Sequence, residues 1–118
     1  MKTQQLWFTH PGNVELRESE LDPLQAGQVR VRSVCSAISA GTEMLVYRGQ
    51  LPTGLPLDST LPALGGEPAY PLQYGYATVG TVEEAIDAEF ECLLGKRVFS
   101  YQPHSDLFNA EAKSLTLV

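Results

Sequence analysis

The sequence predicts a mainly β domain with a barrel-like arrangement of short strands and one short helix. Short segments that alternate apolar and polar residues recur along the 118-residue chain, as half-buried strands do. Turns that contain glycine and proline separate these segments, and only one segment has the spacing of a helix. Many short strands with frequent turns favour a barrel-like domain.

The N-terminal third is predicted to form a hairpin and then a third strand. Residues 4–9 carry three large apolar side chains, a Pro-Gly-Asn turn follows at 11–13, and residues 14–17 alternate again. Two strands joined by such a turn are typical of a hairpin. Residues 28–35 form the clearest strand, and its alternation places four side chains on one face: Val29, Val31, Ser33 and Cys35.

The periodicity changes after this strand. Thr42 is predicted to cap a short helix that Gly49 ends. Residues 49–71 contain five of the eight prolines and four of the ten glycines, so we predict a long loop there. A loop of this length either acts as a lid or binding loop or is simply mobile.

The second half is predicted to add four strands. Residues 72–78 and 79–84 have strand spacing, with glycines that mark bends. Residues 97–101 form another strand, and residues 115–118 begin a last one. The sequence therefore predicts one domain that covers residues 1–118, with the 49–71 loop in its middle.

Composition and charge exclude several classes of function. The net charge of −6 argues against a nucleic-acid partner, which requires clustered positive charge. The start of the chain lacks a signal-peptide pattern, and no stretch approaches membrane-spanning length. Cys35 and Cys92 lie among apolar neighbours and far apart, so we predict buried, reduced thiols. A cytoplasmic protein without a membrane partner is the expectation.

Polar residues crowd the end of the clearest strand. Ser36, Ser39, Thr42 and Glu43 either form a site there or satisfy the backbone of a turn and helix start.

Two polar aromatic side chains, Tyr76 and His104, lie outside this group. Tyr76, which shares a strand face with Tyr74, is either a proton donor or a packing residue. His104 follows a proline in a predicted loop, and its residue type and position indicate a solvated side chain. The sequence contains no G-x-G-x-x-G, so the chain has no Rossmann cofactor site of its own.

Taken together, several blocks resemble the medium-chain dehydrogenases/reductases. These are S-A-I-S-A-G-T-E at 36–43, V-Y-R-G at 46–49, Q-Y-G-Y-A-T-V-G-T-V at 73–82, L-G-K-R-V-F at 94–99 and P-H-S at 103–105. They occur in the family's order and extend over nearly the whole chain. The I-S-x-G-T-E wording is similar to that of the zinc-less alcohol dehydrogenase-like and bacteriochlorophyllide dehydrogenase-like subgroup.

This resemblance implies a fold and a division of labour. The fold is the GroES-like, partly open β-barrel that forms the substrate-side domain of the family. NADP(H) or NAD(H) is bound by a Rossmann domain, absent from this chain and supplied in cis or in trans. Hydride passes to or from a small-molecule carbonyl, alcohol or activated alkene in the cleft between the two domains.

The chain departs from the zinc-dependent members at their metal site. Ser39 stands where those members have a cysteine, and Tyr76-Ala77 stand where they have a His-Glu pair. Serine is a poor zinc ligand and alanine is none, so the resemblance predicts no zinc. A hydroxyl would then polarise the substrate oxygen. The predicted catalytic residues are Ser39, Thr42, Glu43 and Tyr76, with Tyr47 and Arg48 as substrate contacts.

The length of the chain leaves three expectations open. The 118 residues are expected to be a truncated piece of a longer oxidoreductase. Alternatively, they form one subunit of a split enzyme, or a standalone GroES-like binding or assembly module without catalysis. Unpaired strand edges would favour a homo-oligomer.

Overall fold

A computed structural model describes residues 1–50 and 70–118. In these residues it has seven β-strands, one α-helix and two short 3-10 helices. The predicted 49–71 loop lies outside the described residues except at its ends. The strands are β1 Lys2–His10, β2 Asn13–Glu20, β3 Gln28–Ser36, β4 Thr78–Ala85, β5 Arg97–Ser100, β6 Leu107–Glu111 and β7 Thr116–Leu117; the helix is α1 Thr42–Arg48, and the 3-10 helices are Ala88–Leu93 and Ala112–Ser114.

The strands form two antiparallel sheets. Strands β1 and β2 pair as the predicted hairpin. The other five strands form a sheet in the order β6-β3-β4-β5-β7, and within the described part of the chain neither sheet closes on itself. The mainly β class with one short helix is therefore confirmed. No helix among the described residues is long and apolar enough to cross a membrane.

The main core lies on one face of the five-stranded sheet. It consists of buried valines from β3, β4 and β5, together with the phenylalanine and alanines of β6 and the segment that follows it. β3 and β4 approach closely at Gly80, where an added Cβ would lie 2.5 Å from Val31 Cγ1 and 2.6 Å from the Arg32 carbonyl oxygen. Only glycine fits this contact.

Three sequence predictions about elements need correction. A single strand, β4, replaces the two strands predicted at 72–78 and 79–84, and Leu72 makes only an isolated bridge to Phe8. Strand β6 was not predicted, because its five residues are defined by pairing with β3 rather than by their own pattern. Helix α1 ends at Gly49 as predicted, with φ of 70°, but its N-cap is Gly41 and not Thr42.

Both cysteines are exposed, so the prediction that they are buried is wrong. For Cys35 the reason is local. The β3–β4 register shifts between Ser33 and Cys35, because Ser33 pairs with Gly80 and Cys35 pairs with Val79. The extra residue interrupts the alternation that predicted which face Cys35 occupies. Cys92 lies in the exposed part of a 3-10 helix.

The segment 104–106 joins the hairpin to the five-stranded sheet. The Leu6 amide donates to the His104 carbonyl at 3.0 Å, and the Asp106 amide donates to the Gln4 carbonyl at 3.0 Å. On the other side, the Ser33 amide donates to the Asp106 carbonyl at 2.9 Å. This backbone is therefore fixed from both sheets at the point where it carries His104.

Candidate functional site

Three polar side chains from distant parts of the chain meet at the end of β3. The His104 imidazole lies between the other two: its Nδ1 is 2.6 Å from Ser36 Oγ and its Nε2 is 2.5 Å from Glu43 Oε1. We call Ser36, Glu43 and His104 the His104 cluster. The tautomer that gives every group a partner carries the ring proton on Nε2, which donates to Glu43, and leaves Nδ1 to accept the Ser36 hydroxyl.

Each member of the cluster comes from a different element. Ser36 is the last residue of β3, Glu43 lies in the first turn of α1, and His104 begins the segment that joins the sheets. The side chains of His104 and Glu43 are 10% and 5% exposed, whereas Ser36 is exposed. The cluster therefore has one exposed residue, Ser36, and two buried residues, Glu43 and His104.

Both oxygens of Glu43 have partners. The second oxygen, Oε2, accepts the Ser39 backbone amide at 2.5 Å, and the Glu43 amide in turn donates to the Ser39 carbonyl at 3.0 Å. Satisfying the backbone next to the helix start is one of the two roles that the sequence left open for this residue. The structure adds the second contact, to His104, which the sequence analysis did not anticipate.

Gly75 forms one wall of the site. A Cβ on Gly75 would lie 2.9 Å from His104 Cδ2 and 3.1 Å from the His104 backbone nitrogen, and the φ of Gly75 is +144°. Both the space and the backbone conformation therefore require glycine here. The absence of a side chain at Gly75 therefore lets the segment before Tyr76 approach the His104 ring closely.

The segments that carry Ser39 and Tyr76 leave the sheet side by side. Ser36 pairs with Thr78 in the β3–β4 register, and the Ala37 amide donates to the Ala77 carbonyl at 2.8 Å. Thr42 is the first residue of α1 and is half-buried. The predicted catalytic residues thus come from the two segments that flank this end of the sheet.

Two of the predicted tyrosines take part in packing. Tyr47 and Tyr76 pack against a small buried cluster that includes Phe8, Val46 and Tyr74. The ring of Tyr76 contacts that of Tyr74 edge-to-face, with the centroids 6.1 Å apart. Arg48, the last residue of α1, is exposed.

The prediction that His104 is solvated is also wrong. The residue is 8% exposed and hydrogen-bonded on both ring nitrogens. Its partners lie 68 and 61 positions away in the chain, so no local pattern could indicate them. The one feature of the sequence that singled out position 104 was the P-H-S block at 103–105, which is part of the resemblance to the medium-chain dehydrogenases/reductases.

A cavity of about 370 Å³ opens beside Ser36. Ser36 and His104 both contribute to its lining, and so do Leu6, Leu16 and Val34, which supply apolar surface. The exposed member of the His104 cluster, Ser36, therefore borders a space that can hold a small molecule. Among the described residues there is no group of three or more histidine, cysteine or acidic side chains that could bind a metal.

No family model matches the chain. A curated relative is 2-desacetyl-2-hydroxyethyl bacteriochlorophyllide A dehydrogenase from Cereibacter sphaeroides, which is 35% identical over 100 residues. That match covers 84% of this chain but 27% of the relative, so the chain spans about a quarter of the relative's length.

Solved structures share the fold over almost the entire chain. The human synaptic vesicle membrane protein VAT-1 homolog-like protein matches with a TM-score of 0.68 at 16% identity, over 100% of this chain and 36% of that one. A short chain alcohol dehydrogenase of E. coli CFT073, solved with NADH, matches with a TM-score of 0.70 at 16% identity, over 99% of this chain and 38% of that one.

The fold and the relatives together define the class of this domain. It has the fold of the N-terminal GroES-like domain of medium-chain dehydrogenases/reductases, and the resemblance found in the sequence is confirmed. Within that class, the curated similarity is to the bacteriochlorophyllide dehydrogenase named above. The chain thus corresponds to one domain of longer proteins, some of which are named as dehydrogenases.

Proposed function

We propose that this chain is the substrate-side domain of a zinc-independent, NAD(P)(H)-dependent medium-chain oxidoreductase. The reaction would transfer hydride to or from a carbonyl, alcohol or activated alkene. The observation that supports the proposal is the pairing of residues 36–37 with residues 77–78, because the predicted hydroxyl donors lie on the segments that continue from these pairs. Relatives with this fold include a dehydrogenase solved with NADH.

The donors have distinct roles in the proposal. Tyr76, Thr42 or Ser39 would donate a hydrogen bond to the substrate oxygen as charge develops there. Glu43 would fix the Ser39 backbone, to which it is bonded at 2.5 Å. Tyr47 and Arg48, on the last turn of α1, would contact the rest of the substrate.

The cofactor does not fit on the described residues alone. A dinucleotide site needs parallel strands and a glycine-rich turn that leads directly into a helix, whereas every strand pair in the described ranges is antiparallel. The nicotinamide, which supplies or accepts the hydride, would therefore be held by a Rossmann domain in cis or in trans. The two exposed free thiols favour a reducing compartment, so we propose the cytoplasm.

Zinc independence can be tested on the chain itself. Ser39 and Ala77 offer no thiolate or carboxylate, so the chain should retain no zinc after dialysis. The variant S39C/Y76H/A77E, which supplies the ligand types of the zinc-dependent members, should retain about one equivalent. Metal analysis by mass spectrometry would detect both results. Stoichiometric zinc in the unmodified chain would contradict the proposal.

Activity is tested on the product of the reading frame that contains this chain, with sequence beyond Val118 determined first. A strand followed by G-x-G-x-x-G downstream, or a partner protein that carries it, should give NADPH- or NADH-dependent turnover with a panel of carbonyl compounds and quinones. The 118-residue chain alone should give none. Tyr76→Phe should lower kcat by about 10²-fold if its hydroxyl is the acid. Tyr101→Phe, an exposed tyrosine on another segment, is the matched control.

A second candidate is a binding or assembly module without catalysis, which would act as a homo-oligomer. It is favoured by exposed apolar side chains: Leu16 and Val34, which line the cavity, are 67% and 53% exposed, and Ile38, two residues after Ser36, is 73% exposed. Exposed patches of this kind often mark interaction sites. Light scattering on the purified chain separates the candidates, because a large, defined assembly supports the module and a monomer that gains turnover with a nucleotide-binding domain supports the enzyme.

A further inference from the structure

We propose that Ser36 is an activated nucleophile that accepts an acyl group from small neutral esters. His104 is its general base, and Glu43 positions that base. This activity is separate from hydride transfer and would belong to the chain by itself. Neither the resemblance to dehydrogenases nor the proposed function assigns a role to Ser36 or His104.

The geometry of the His104 cluster is that of an activated serine. A nucleophilic hydroxyl needs a base within hydrogen-bond distance, and the base needs a third group that holds its orientation. Ser36 Oγ lies 2.6 Å from His104 Nδ1, and the opposite nitrogen lies 2.5 Å from Glu43. The carboxylate is held in turn by the Ser39 amide, so the orientation of the imidazole is set from behind.

The members of the His104 cluster differ in their exposure to solvent. His104 and Glu43 are buried, with 10% and 5% of their side chains exposed, while Ser36 is an exposed residue. A nucleophile and its base require this arrangement, because a substrate must reach the serine while the base keeps its orientation. Ser36 lines the cavity, and the His104 ring contacts Glu43 through the nitrogen opposite to the one that contacts Ser36.

The cavity beside Ser36 has a volume of about 370 Å³, which suits a small ligand. Leu6, Leu16 and Val34 provide an apolar wall for an acyl chain, and Gln4, whose side-chain amide can donate to a developing oxyanion, also lines the cavity. Asp106 also lines the cavity and the chain carries a net charge of −6, so an anionic substrate would be repelled. Neutral esters with short apolar acyl groups fit these conditions.

The reaction conserves atoms and charge. Ser36 Oγ forms a bond to the ester carbonyl carbon while its proton passes to His104 Nδ1. The bond from that carbon to the alcohol oxygen breaks, and the proton on Nδ1 goes to the leaving alcohol. Water then attacks the acyl-serine by the same route, releasing the acid and restoring the Ser36 hydroxyl.

The test uses the purified 118-residue chain, a fluorophosphonate probe and p-nitrophenyl acetate. The probe should form one adduct, with loss of fluoride, which peptide mass spectrometry locates on Ser36 and not on the neighbouring Cys35. Ser36→Ala should abolish the adduct and lower p-nitrophenol release to the slow rate that the two exposed thiols sustain. Ser19→Ala, which removes an exposed hydroxyl on β2, should leave both unchanged.

The roles of the other two residues need separate readouts. His104→Gln should slow labelling by about 10²-fold or more, because the base is lost. Glu43→Gln should slow it as well, and Glu43→Asp should restore part of the rate, which a purely structural role would not predict. Circular dichroism of each variant reports folding, and Ser36→Thr, which keeps a hydroxyl, supplies a second test at the nucleophile.

Several results would overturn the proposal. They are no adduct on the folded chain, an adduct on another residue, or a labelling rate that His104→Gln does not change. Any of them would leave the proposed hydride-transfer function untouched, because that function is assayed with a nicotinamide cofactor and a nucleotide-binding domain. Conversely, if Ser36 is labelled but no hydride transfer is found, the proposal that Ser36 is a nucleophile still holds.

Discussion

Strand β3 carries a buried cation near its start and the His104 cluster at its end, and the two sites differ in how they satisfy charge. Arg30 is 8% exposed and donates to Glu84 at 2.9 Å, to Asn109 at 3.1 Å and to the Asp22 carbonyl at 3.1 Å. Its carboxylate partner is 52% exposed, so water shares that charge. At the other end, both His104 and Glu43 are buried.

This difference shows which end of β3 can take part in proton transfer. An arginine side chain stays protonated, so the Arg30 network can stabilise the fold but cannot accept a proton. An imidazole has two nitrogens that can each donate or accept, and at the end of β3 they contact a hydroxyl and a carboxylate. The substitutions below test this contrast, and their expected effects decrease from one to the next.

Removing the buried carboxylate should have the largest effect on stability. Glu43→Leu leaves the His104 ring nitrogen and the Ser39 amide without their acceptor, so we expect a loss of about 3–5 kcal/mol in the free energy of unfolding. Urea denaturation followed by circular dichroism measures it. A loss below that of Arg30→Met would contradict the contrast between the two ends.

Filling the space at Gly75 should cost somewhat less. Gly75→Ala places a Cβ 2.9 Å from His104 Cδ2 at a φ of +144°, so strain and overpacking together should cost about 3 kcal/mol. Gly41→Ala is the matched control, because an added Cβ there has no neighbour within 4 Å. The control should change the free energy of unfolding by less than about 1 kcal/mol. Equal losses for the two variants would show that His104 is not tightly held.

Removing the cation at the start of β3 should have a smaller effect. Arg30→Met keeps the apolar stem and removes the guanidinium, and the exposed Glu84 can then be hydrated. We expect a loss of about 2 kcal/mol. Added salt should reduce the difference in the free energy of unfolding between Arg30→Met and the unmodified chain. The loss caused by Glu43→Leu should depend little on salt.

The smallest expected effect is a response to alkaline pH at the helix. Burial raises the pKa of Tyr70, whose hydroxyl donates to the Val46 carbonyl of α1. Above the ordinary tyrosine value of about 10, the unfolded chain loses this proton while the folded chain keeps it, so stability falls as pH rises. Tyr70→Phe should therefore lose stability less steeply above that pH than the unmodified chain.

Arg32, which lies two residues after Arg30 on β3, should not contribute to the loss of stability at alkaline pH. The hydrogen bond and charge of Glu83 raise the pKa of Arg32, which lies on the same strand, so its guanidinium stays charged throughout this range. Arg32→Gln should change stability by a similar amount at neutral and alkaline pH. A pH-dependent difference in this variant would show that the Tyr70 comparison has another origin.

The parts of the fold that the sequence predicted are those with local patterns. The β1–β2 hairpin, strand β3 and the end of α1 at Gly49 follow from alternation, a turn and a glycine. The family blocks indicated the domain as a whole. Strand β6 and the exposure of Cys35 could not be predicted, since the first depends on pairing across the sheet and the second on a bulge.

The site divides in the same way. Ser36, Ser39 and Glu43 stood out because polar residues cluster where a strand ends. His104 did not, because the contacts that make it important link positions 68 and 61 residues apart. The roles of Ser39, Thr42, Glu43 and Tyr76 in catalysis stay predictions until the variants are assayed.

The segment 104–106 also has a consequence for the order of folding. It bonds to the first strand across 103 residues, between Thr3 and Asp106, while it bonds to Ser33 on its other side. Contacts between such distant positions close large loops and form slowly, whereas the hairpin can form early from neighbouring residues. We therefore expect His104 to reach its partners only in the last stage of folding, so that a refolding chain regains its secondary structure before it regains a reactive Ser36.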